Sequence, residues 1–162
     1  AVSLGIGGKM KNYEKALEAV KRAAEAGIYT VYVGSDGFLG LGRDPLSDPE
    51  RLSSYSRGIF WRKQYYSNSM LLVPMDSRAV ASPTGAKDYV FYRNGGMSWA
   101  VPYVAGLYAL ACQVRPDVAP GIFWMAAFET GDIAETGASG KKEKLGVIAN
   151  PARLISALEK NR

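Results

Sequence analysis

The longest apolar run of the sequence covers residues 99–112 and follows directly on a glycine-rich turn, Gly95-Gly96, and a serine, Ser98. The run is too short to cross a bilayer and contains Pro102, so it indicates a helix buried inside a domain rather than a membrane span. A helix that is apolar on every face needs neighbours all round it. We therefore expect this helix to begin near Ser98 and to run through the centre of a layered domain, with no membrane partner.

The beginning of the chain has the pattern of a βαβ unit. Residues 1–8 are typical of a short apolar strand that ends in glycines. Apolar residues then recur at helical spacing between Asn12, a favoured N-cap, and Gly27, a favoured C′ residue. Residues 28–33 are β-branched and aromatic, as in a buried strand. A strand, a helix and a strand in succession imply a parallel sheet with a right-handed crossover.

The remainder of the chain adds one strand and two helices to this unit. We predict a strand over residues 71–73 and helices over residues 120–128 and 150–160. From residue 34 to residue 69 the periodic pattern dissolves into Gly, Ser, Pro and Arg, and residues 82–97 are rich in turn residues. The fold class that follows is α/β, a three-layer sandwich with a mostly parallel sheet.

The composition excludes several classes of function. Twenty basic and fifteen acidic residues give a net charge of +5, and the densest basic cluster, Lys141, Lys142 and Lys144, is too short for a nucleic-acid-binding stripe. The single cysteine, Cys112, can form neither an internal disulfide nor a zinc site by itself, and we predict no metal and no cofactor. The sequence contains no histidine. A mechanism that needs an imidazole base must therefore take it from outside this chain.

The turn before the apolar helix places a serine where a nucleophile is favoured. Gly96-Met97-Ser98 delivers Ser98 to a helix N-terminus, which offers free backbone N–H groups and the positive end of the helix dipole. Both stabilise an alkoxide-like nucleophile and a developing oxyanion. Serine is also a common N-cap, so this stretch alone leaves a purely structural role for Ser98 open.

The same stretch resembles the nucleophile block of the subtilase family of serine peptidases, G-T-S-x-A-x-P-H-V-A-G. The residues that match this block are Gly96, Ser98, Ala100, Pro102, Val104, Ala105 and Gly106. Met97 stands in place of the family's Thr, and Tyr103 in place of a His that is not the catalytic one. The chain thus looks like the C-terminal portion of a subtilisin-like catalytic domain, with Ser98 as the nucleophile.

Other segments resemble subtilase blocks in the family's order. Ser3-Leu4-Gly5 resembles the S-L-G-G strand that pairs with the substrate backbone, and Val33-Gly34-Ser35 resembles the segment that ends A-G-N-x-G. Residues 145–152 resemble the family's closing motif. The resemblance therefore implies that residues 1–162 are the C-terminal half of one peptidase domain, and we expect a divergent insert at about 38–69.

The resemblance implies a polypeptide substrate and a site made of these blocks. The substrate would lie as an added strand along the first block and beside the second, at Ser3, Leu4, Gly5, Val33 and Gly34. Ser35 has the position of the Asn that donates to the oxyanion, and its hydroxyl is shorter than that amide. The family's Asp and His lie upstream of the S-L-G-G strand, so they would belong to an N-terminal half that precedes Ala1.

Two functions follow from the resemblance. In the first, the chain is part of a serine endopeptidase, has little activity alone, and acts when His and Asp are supplied from outside it. In the second, it is a non-catalytic subtilase-like scaffold that binds a peptide or a partner protein, an alternative favoured by Ser35, Met97 and the insert. An unrelated α/β binding domain is a third interpretation, although no phosphate-binding G-x-G-x-x-G follows the first strand.

Overall fold

The computed structural model of the protein describes residues 11–35, 37–48, 51–56, 70–138 and 141–160. The strand predicted over residues 1–8, with Ser3, Leu4 and Gly5, lies outside these ranges. The elements, in chain order, are α1 (Tyr13–Glu25), β1 (Phe38–Arg43), a 3-10 turn (Leu52–Ser54), β2 (Tyr55–Ser56), β3 (Leu71–Pro74), β4 (Arg78–Ala81), β5 (Tyr89–Tyr92), α2 (Met97–Val114), α3 (Pro120–Glu129), β6 (Asp132–Ala138), β7 (Lys141–Ile148) and α4 (Pro151–Lys160).

Five of the strands form one sheet in the order β2-β1-β3-β7-β6. Its three central strands run parallel, with Phe38 of β1 opposite Leu71 of β3 and Leu71 opposite Val147 of β7. The edge strands β2 and β6 are antiparallel to their neighbours, and β4 pairs with β5 as a separate hairpin. The protein therefore has the α/β fold and the mostly parallel sheet that the sequence predicted.

The main core lies between this sheet and three helices. Leu71 and Val73 of β3 belong to one buried cluster with side chains of α2, α3 and α4, among them Val104, Phe123 and Leu154. Successive strand residues alternate between faces. Accordingly, Leu72 belongs to a second cluster, with Leu39, Leu41, Leu145 and Ile148. A three-layer sandwich also needs helices on the other face of the sheet, where Leu72 lies. Helix α1 buries none of its residues, so this third layer stays a prediction.

The strand that follows α1 is not the one that the sequence predicted. Within residues 28–33 the structure has only a single bridge at Tyr32, so the predicted strand there is wrong. Apolar side chains in this segment pack on helices instead of pairing in a sheet. The ring of Tyr29 meets that of Tyr108 edge-on, and its hydroxyl accepts a hydrogen bond from Trp124 Nε1 at 2.7 Å.

The sheet strand β1 instead lies inside the segment predicted to be an insert. Its sequence, FLGLGR, resembles a loop because Gly40 and Gly42 interrupt the apolar residues. Gly40 has a packing reason: a side chain there would meet the sulfurs of Met75 and Met97. Similarly, the turn-rich residues 82–97 include strand β5.

Helix α2 begins where the sequence predicted, but within the described residues it is not enclosed on all sides. One face is buried through Ala100, Val101, Val104, Leu107 and Ala111. Pro102, Gly106 and Leu110 are exposed on the other. By length and composition alone α2 could cross a membrane, although its buried face packs as a core helix does. The expected all-round burial is thus wrong for the described part of the chain.

Helix α1 ends in the glycine motif that the sequence indicated. Gly27 follows the C-cap with φ of +76°. The N–H of Ile28 donates to the carbonyl of Ala23 at 2.8 Å, and the N–H of Gly27 donates to that of Ala24 at 3.0 Å. These two bonds define a Schellman motif, which favours glycine at the left-handed position.

Replacing Gly27 with Ala should lower the free energy of unfolding by about 1 kcal/mol, because an L-residue with a side chain is strained at this φ. The new Cβ would meet no described atom within 4 Å, so packing contributes nothing to the loss. The control is Gly106→Ala, which is equally open but lies inside α2. It should raise the free energy of unfolding by about 0.5–1 kcal/mol. Urea denaturation measures both, and changes of the same sign would contradict the explanation.

Candidate active site

The structure places Ser98 at the N-terminus of α2, as the second residue of the helix. Its side chain is exposed. Gly96, the N-cap, is fully extended, and no side chain of the described residues caps the helix. The backbone N–H groups of Met97 and Ser98 therefore have no partner within the helix, since the first turn of an α-helix leaves its donors unused. An exposed hydroxyl lies beside donors that the helix itself leaves unused and at the positive end of the helix dipole.

The turn before Ser98 is fixed to the end of β3. Gly95 donates its N–H to Asp76 Oδ1 at 2.7 Å. Its Cα lies so close to the backbone that a Cβ would overlap the carbonyl oxygen of Met75. Met75 and Asp76 directly follow β3, so the carboxyl end of the central strand determines where α2 begins.

Met97 and Trp99, on either side of Ser98, attach the start of α2 to two other strands. The N–H of Gly40 in β1 points to Met97 Sδ at 3.1 Å, a weak hydrogen bond because sulfur is a poor acceptor. The ring of Trp99 packs against that of Tyr92 in β5, with centroids 4.9 Å apart. Met97, which stands where the family has Thr, thus has a packing role. The neighbours of Ser98 are held while its own side chain stays accessible.

The described part of the chain brings no general base into hydrogen-bond contact with Ser98. No described side chain hydrogen-bonds to its hydroxyl, and the whole sequence has no histidine. The pKa shifts occur elsewhere. Burial raises the pKa of Tyr29 and of Tyr108, and the N–H of Leu46, with the hydroxyl of Ser47, lowers that of Asp44. The described site therefore has an exposed serine hydroxyl at a helix N-terminus and no hydrogen-bonded partner that would take its proton.

Ser35, predicted at the position of the oxyanion donor, is engaged in a local turn. Its hydroxyl donates to the carbonyl of Tyr32 at 2.7 Å, and its N–H donates to the same oxygen at 3.1 Å. Between them, Gly34 has a φ of +99°. In this conformation the Ser35 proton is already used, so the hydroxyl does not donate to an oxyanion. Val33 and Gly34 belong to this turn, whereas Ser3, Leu4 and Gly5 lie outside the described residues.

Arg43 occupies a position at the sheet edge that the sequence did not single out. Because β1 runs parallel to β3, its last residue, Arg43, lies at the same edge of the sheet as Pro74 of β3. Ser35 lies before this strand and not after it. An arginine directly after alternating apolar residues, as in FLGLGR, is the signal that would have indicated this edge.

Comparison with known proteins gives a likeness of fold. No family model matches the chain, and no curated protein matches it. Among solved structures the chain is similar to the patellamide maturation protease PatA, with a TM-score of 0.54 and 19% identity. The alignment covers 97% of this chain and 60% of that one. At this identity the likeness concerns the fold alone, which is a distant subtilase-like fold.

Gly95→Ala should lower the free energy of unfolding by about 2–3 kcal/mol, because the added methyl would displace the turn from the Met75 carbonyl. The matched control is Gly85→Ala in an exposed turn, where the new Cβ would meet only the end of the Asp88 side chain. That carboxylate can move, so a change within about 0.5 kcal/mol is expected. Thermal and urea denaturation of both variants measure the difference. Equal losses would mean that the close approach of Gly95 is not what fixes the turn.

Proposed function

We propose that this chain is the nucleophile-bearing part of a serine endopeptidase. Ser98 is the nucleophile, and the His and Asp of the mechanism come from polypeptide outside this sequence. The observation that carries the proposal is the position of Ser98, which is exposed at a helix N-terminus that no described side chain caps. The resemblance to the subtilase nucleophile block and the likeness of fold to a protease support it.

In the proposed reaction, Ser98 Oγ bonds to the carbonyl carbon of a peptide while the external His takes the hydroxyl proton. The carbonyl electron pair moves to oxygen, and the resulting oxyanion is stabilised by the free N–H at the start of α2. When the intermediate collapses, the C–N bond breaks and His returns the proton to the leaving amine. Water then attacks the acyl group in the same manner and releases the carboxylate product.

The exposed face of α2 supports an external source for the base. Residues four apart lie on one side of a helix, so Ser98, Pro102 and Gly106 form a single exposed stripe, and Leu110 extends it. The stripe is apolar beyond Ser98, and no described atom lies within 4 Å of a Cβ built on Gly106. A segment that brings His and Asp to Ser98 would also cover this stripe. The occupant that we propose is therefore the N-terminal half of the same peptidase domain.

One observation favours the second function, a scaffold that binds a polypeptide without cleaving it. Ser35 donates to Tyr32 and is not available to an oxyanion. Loss of one oxyanion donor typically slows such an enzyme by about 10²–10³-fold. This is a large reduction, but it leaves a nucleophile that still reacts with strong electrophiles. Covalent labelling therefore separates the two functions better than turnover of a peptide does.

The protein produced from its complete reading frame should be labelled by a fluorophosphonate probe, and Ser98→Ala should abolish the labelling. The control variant is Ser53→Ala, which removes an exposed serine in the 3-10 turn and should leave the labelling unchanged. Mass spectrometry of the labelled peptide identifies the residue that carries the probe. The residue 1–162 chain alone should react at least about 10³-fold more slowly, because it lacks the base.

A folded complete protein whose Ser98 stays unmodified would overturn the peptidase proposal. The scaffold function would then be tested by fluorescence anisotropy with an extended peptide library. Circular dichroism and a cooperative thermal transition establish that each variant is folded, so a failure to label is not confused with a failure to fold.

A further inference from the structure

A cavity of about 350 Å³ opens at the carboxyl edge of the parallel sheet. Its lining includes Arg43 and Pro74, the last residues of β1 and β3, and Asn150, which precedes α4. Ligands of open α/β sheets bind outside the carboxyl ends of the strands, which is where this cavity lies. Ser98 is not among its described lining residues.

Arg43 brings to this cavity a guanidinium that is only partly satisfied. Its Nη2 donates to the carbonyl of Ser77 at 2.8 Å, and Ser77 Oγ donates to the Arg43 carbonyl at 3.1 Å. Ser77 is buried and has a φ of +57°. Arg43 Nε, in contrast, is buried and has no hydrogen-bond partner among the described residues. Because a buried donor without an acceptor is costly, a bound acceptor would be favoured there.

Arg78, the residue after Ser77, supplies a second cation. Its guanidinium carbon lies 4.9 Å from the centroid of the Tyr103 ring. A guanidinium attracted to an aromatic ring in this way still has N–H groups that can donate to acceptors in the guanidinium plane. Two half-buried guanidinium groups thus line one cavity.

The acidic residue of the described lining, Asp132, is already neutralised. Its carboxylate accepts from Arg153 and from Asn150 Nδ2, the latter at 2.9 Å. Asn150 Oδ1 accepts the N–H of Arg153 at 3.0 Å and so caps α4. The N–H of Ala152 also lies in the first turn of α4, where the helix offers it no acceptor. The lining therefore has an excess of positive charge, to which the N-terminus of α4 adds.

We propose that this cavity binds an oxyanion, the phosphate or carboxylate group of a small ligand, between Arg43 and Arg78 and against the start of α4. Guanidinium forks pair with both kinds of group through two parallel hydrogen bonds. The volume is near the lower end for ligand pockets, which fits one such group with a short carbon frame. The inference is independent of the chemistry proposed for Ser98.

Nuclear magnetic resonance of the intact ¹⁵N-labelled chain tests this site, since arginine Nε–H groups give their own signals. Inorganic phosphate and, separately, acetate are added at constant ionic strength against sodium chloride. A saturable shift of the Arg43 Nε–H signal and of the Ala152 amide signal is expected with at least one probe. The tighter probe identifies the group as phosphate or carboxylate.

The substitution Arg78→Gln should weaken this binding by about tenfold or more, since a charge-assisted hydrogen bond is lost. The control is Arg22→Gln, an identical change on the exposed surface of α1, which should leave the affinity within about twofold. Arg43→Lys, which keeps the charge without the planar fork, should weaken binding as strongly as Arg78→Gln. The wild-type titration and Arg78→Gln decide the question if Arg43→Lys does not fold.

Two results would overturn the proposal. One is the absence of any saturable shift with both probes in the folded wild-type chain. The other is equal weakening by Arg22→Gln and Arg78→Gln, which would reduce the effect to the overall positive charge.

Discussion

The position of strand β3 determines most of what surrounds the functional residues. Leu71, Val73 and Met75 are fully buried, so the end of this strand cannot shift without disturbing the core. Met75 and the two residues after it each make a different contact. The carbonyl of Met75 abuts Gly95, the carboxylate of Asp76 accepts the Gly95 N–H, and the carbonyl of Ser77 holds Arg43. One buried strand thus positions both the turn before Ser98 and the guanidinium of the cavity.

The same edge of the sheet collects positive electrostatic potential from two sources of different strength. Helices α2 and α4 both begin there, and each N-terminus contributes about 0.3–1 kcal/mol toward a nearby negative charge. The guanidinium groups of Arg43 and Arg78 carry full charges and directed donors, and such hydrogen bonds contribute about 1.5–3 kcal/mol. At Ser98 the helix dipole and the N–H groups of the first turn would stabilise an oxyanion that exists only during a reaction. In the cavity, the full charges of the two arginines would stabilise an anion that stays bound.

Sequence patterns predicted the elements whose signals are local. The helical spacing and Gly27 indicated α1, Asn150 and Pro151 indicated α4, and the glycine turn indicated the start of α2. Each of these signals lies within one turn of the element that it defines. The α/β class was predicted from a βαβ unit whose second strand, over residues 28–33, is absent, and the parallel strands of the structure are β1, β3 and β7 instead.

The parts that the sequence did not predict depend on contacts between distant residues. Strand β1 looked like a loop because Gly40 makes room for Met75 and Met97, which follow it by 35 and 57 positions in the numbering. Arg43 was likewise overlooked, because its role depends on Ser77, 34 residues away. For Ser35, in contrast, a local contact decides the outcome: its hydroxyl donates to the carbonyl of Tyr32, only three residues earlier in the chain. The Ser35 hydroxyl therefore donates its proton within a local turn and not to an oxyanion formed by distant residues.

The exposed stripe of α2 bears on the proposed peptidase, whose base would come from outside this chain. A helix as apolar as α2 would normally bury more than one face, yet Pro102, Gly106 and Leu110 are exposed in the described structure. Ser98 continues this stripe by one helical turn. Any polypeptide that packs on the apolar part comes within reach of the hydroxyl, so burial and catalysis would be completed by the same contact. Association would then be stabilised by apolar area, about 25 cal/mol for each Å² removed from water, while the helix start provides the geometry. In the proposed peptidase, Ser98 would stay inert until its base had docked, because neither part alone would contain the whole proton-transfer path.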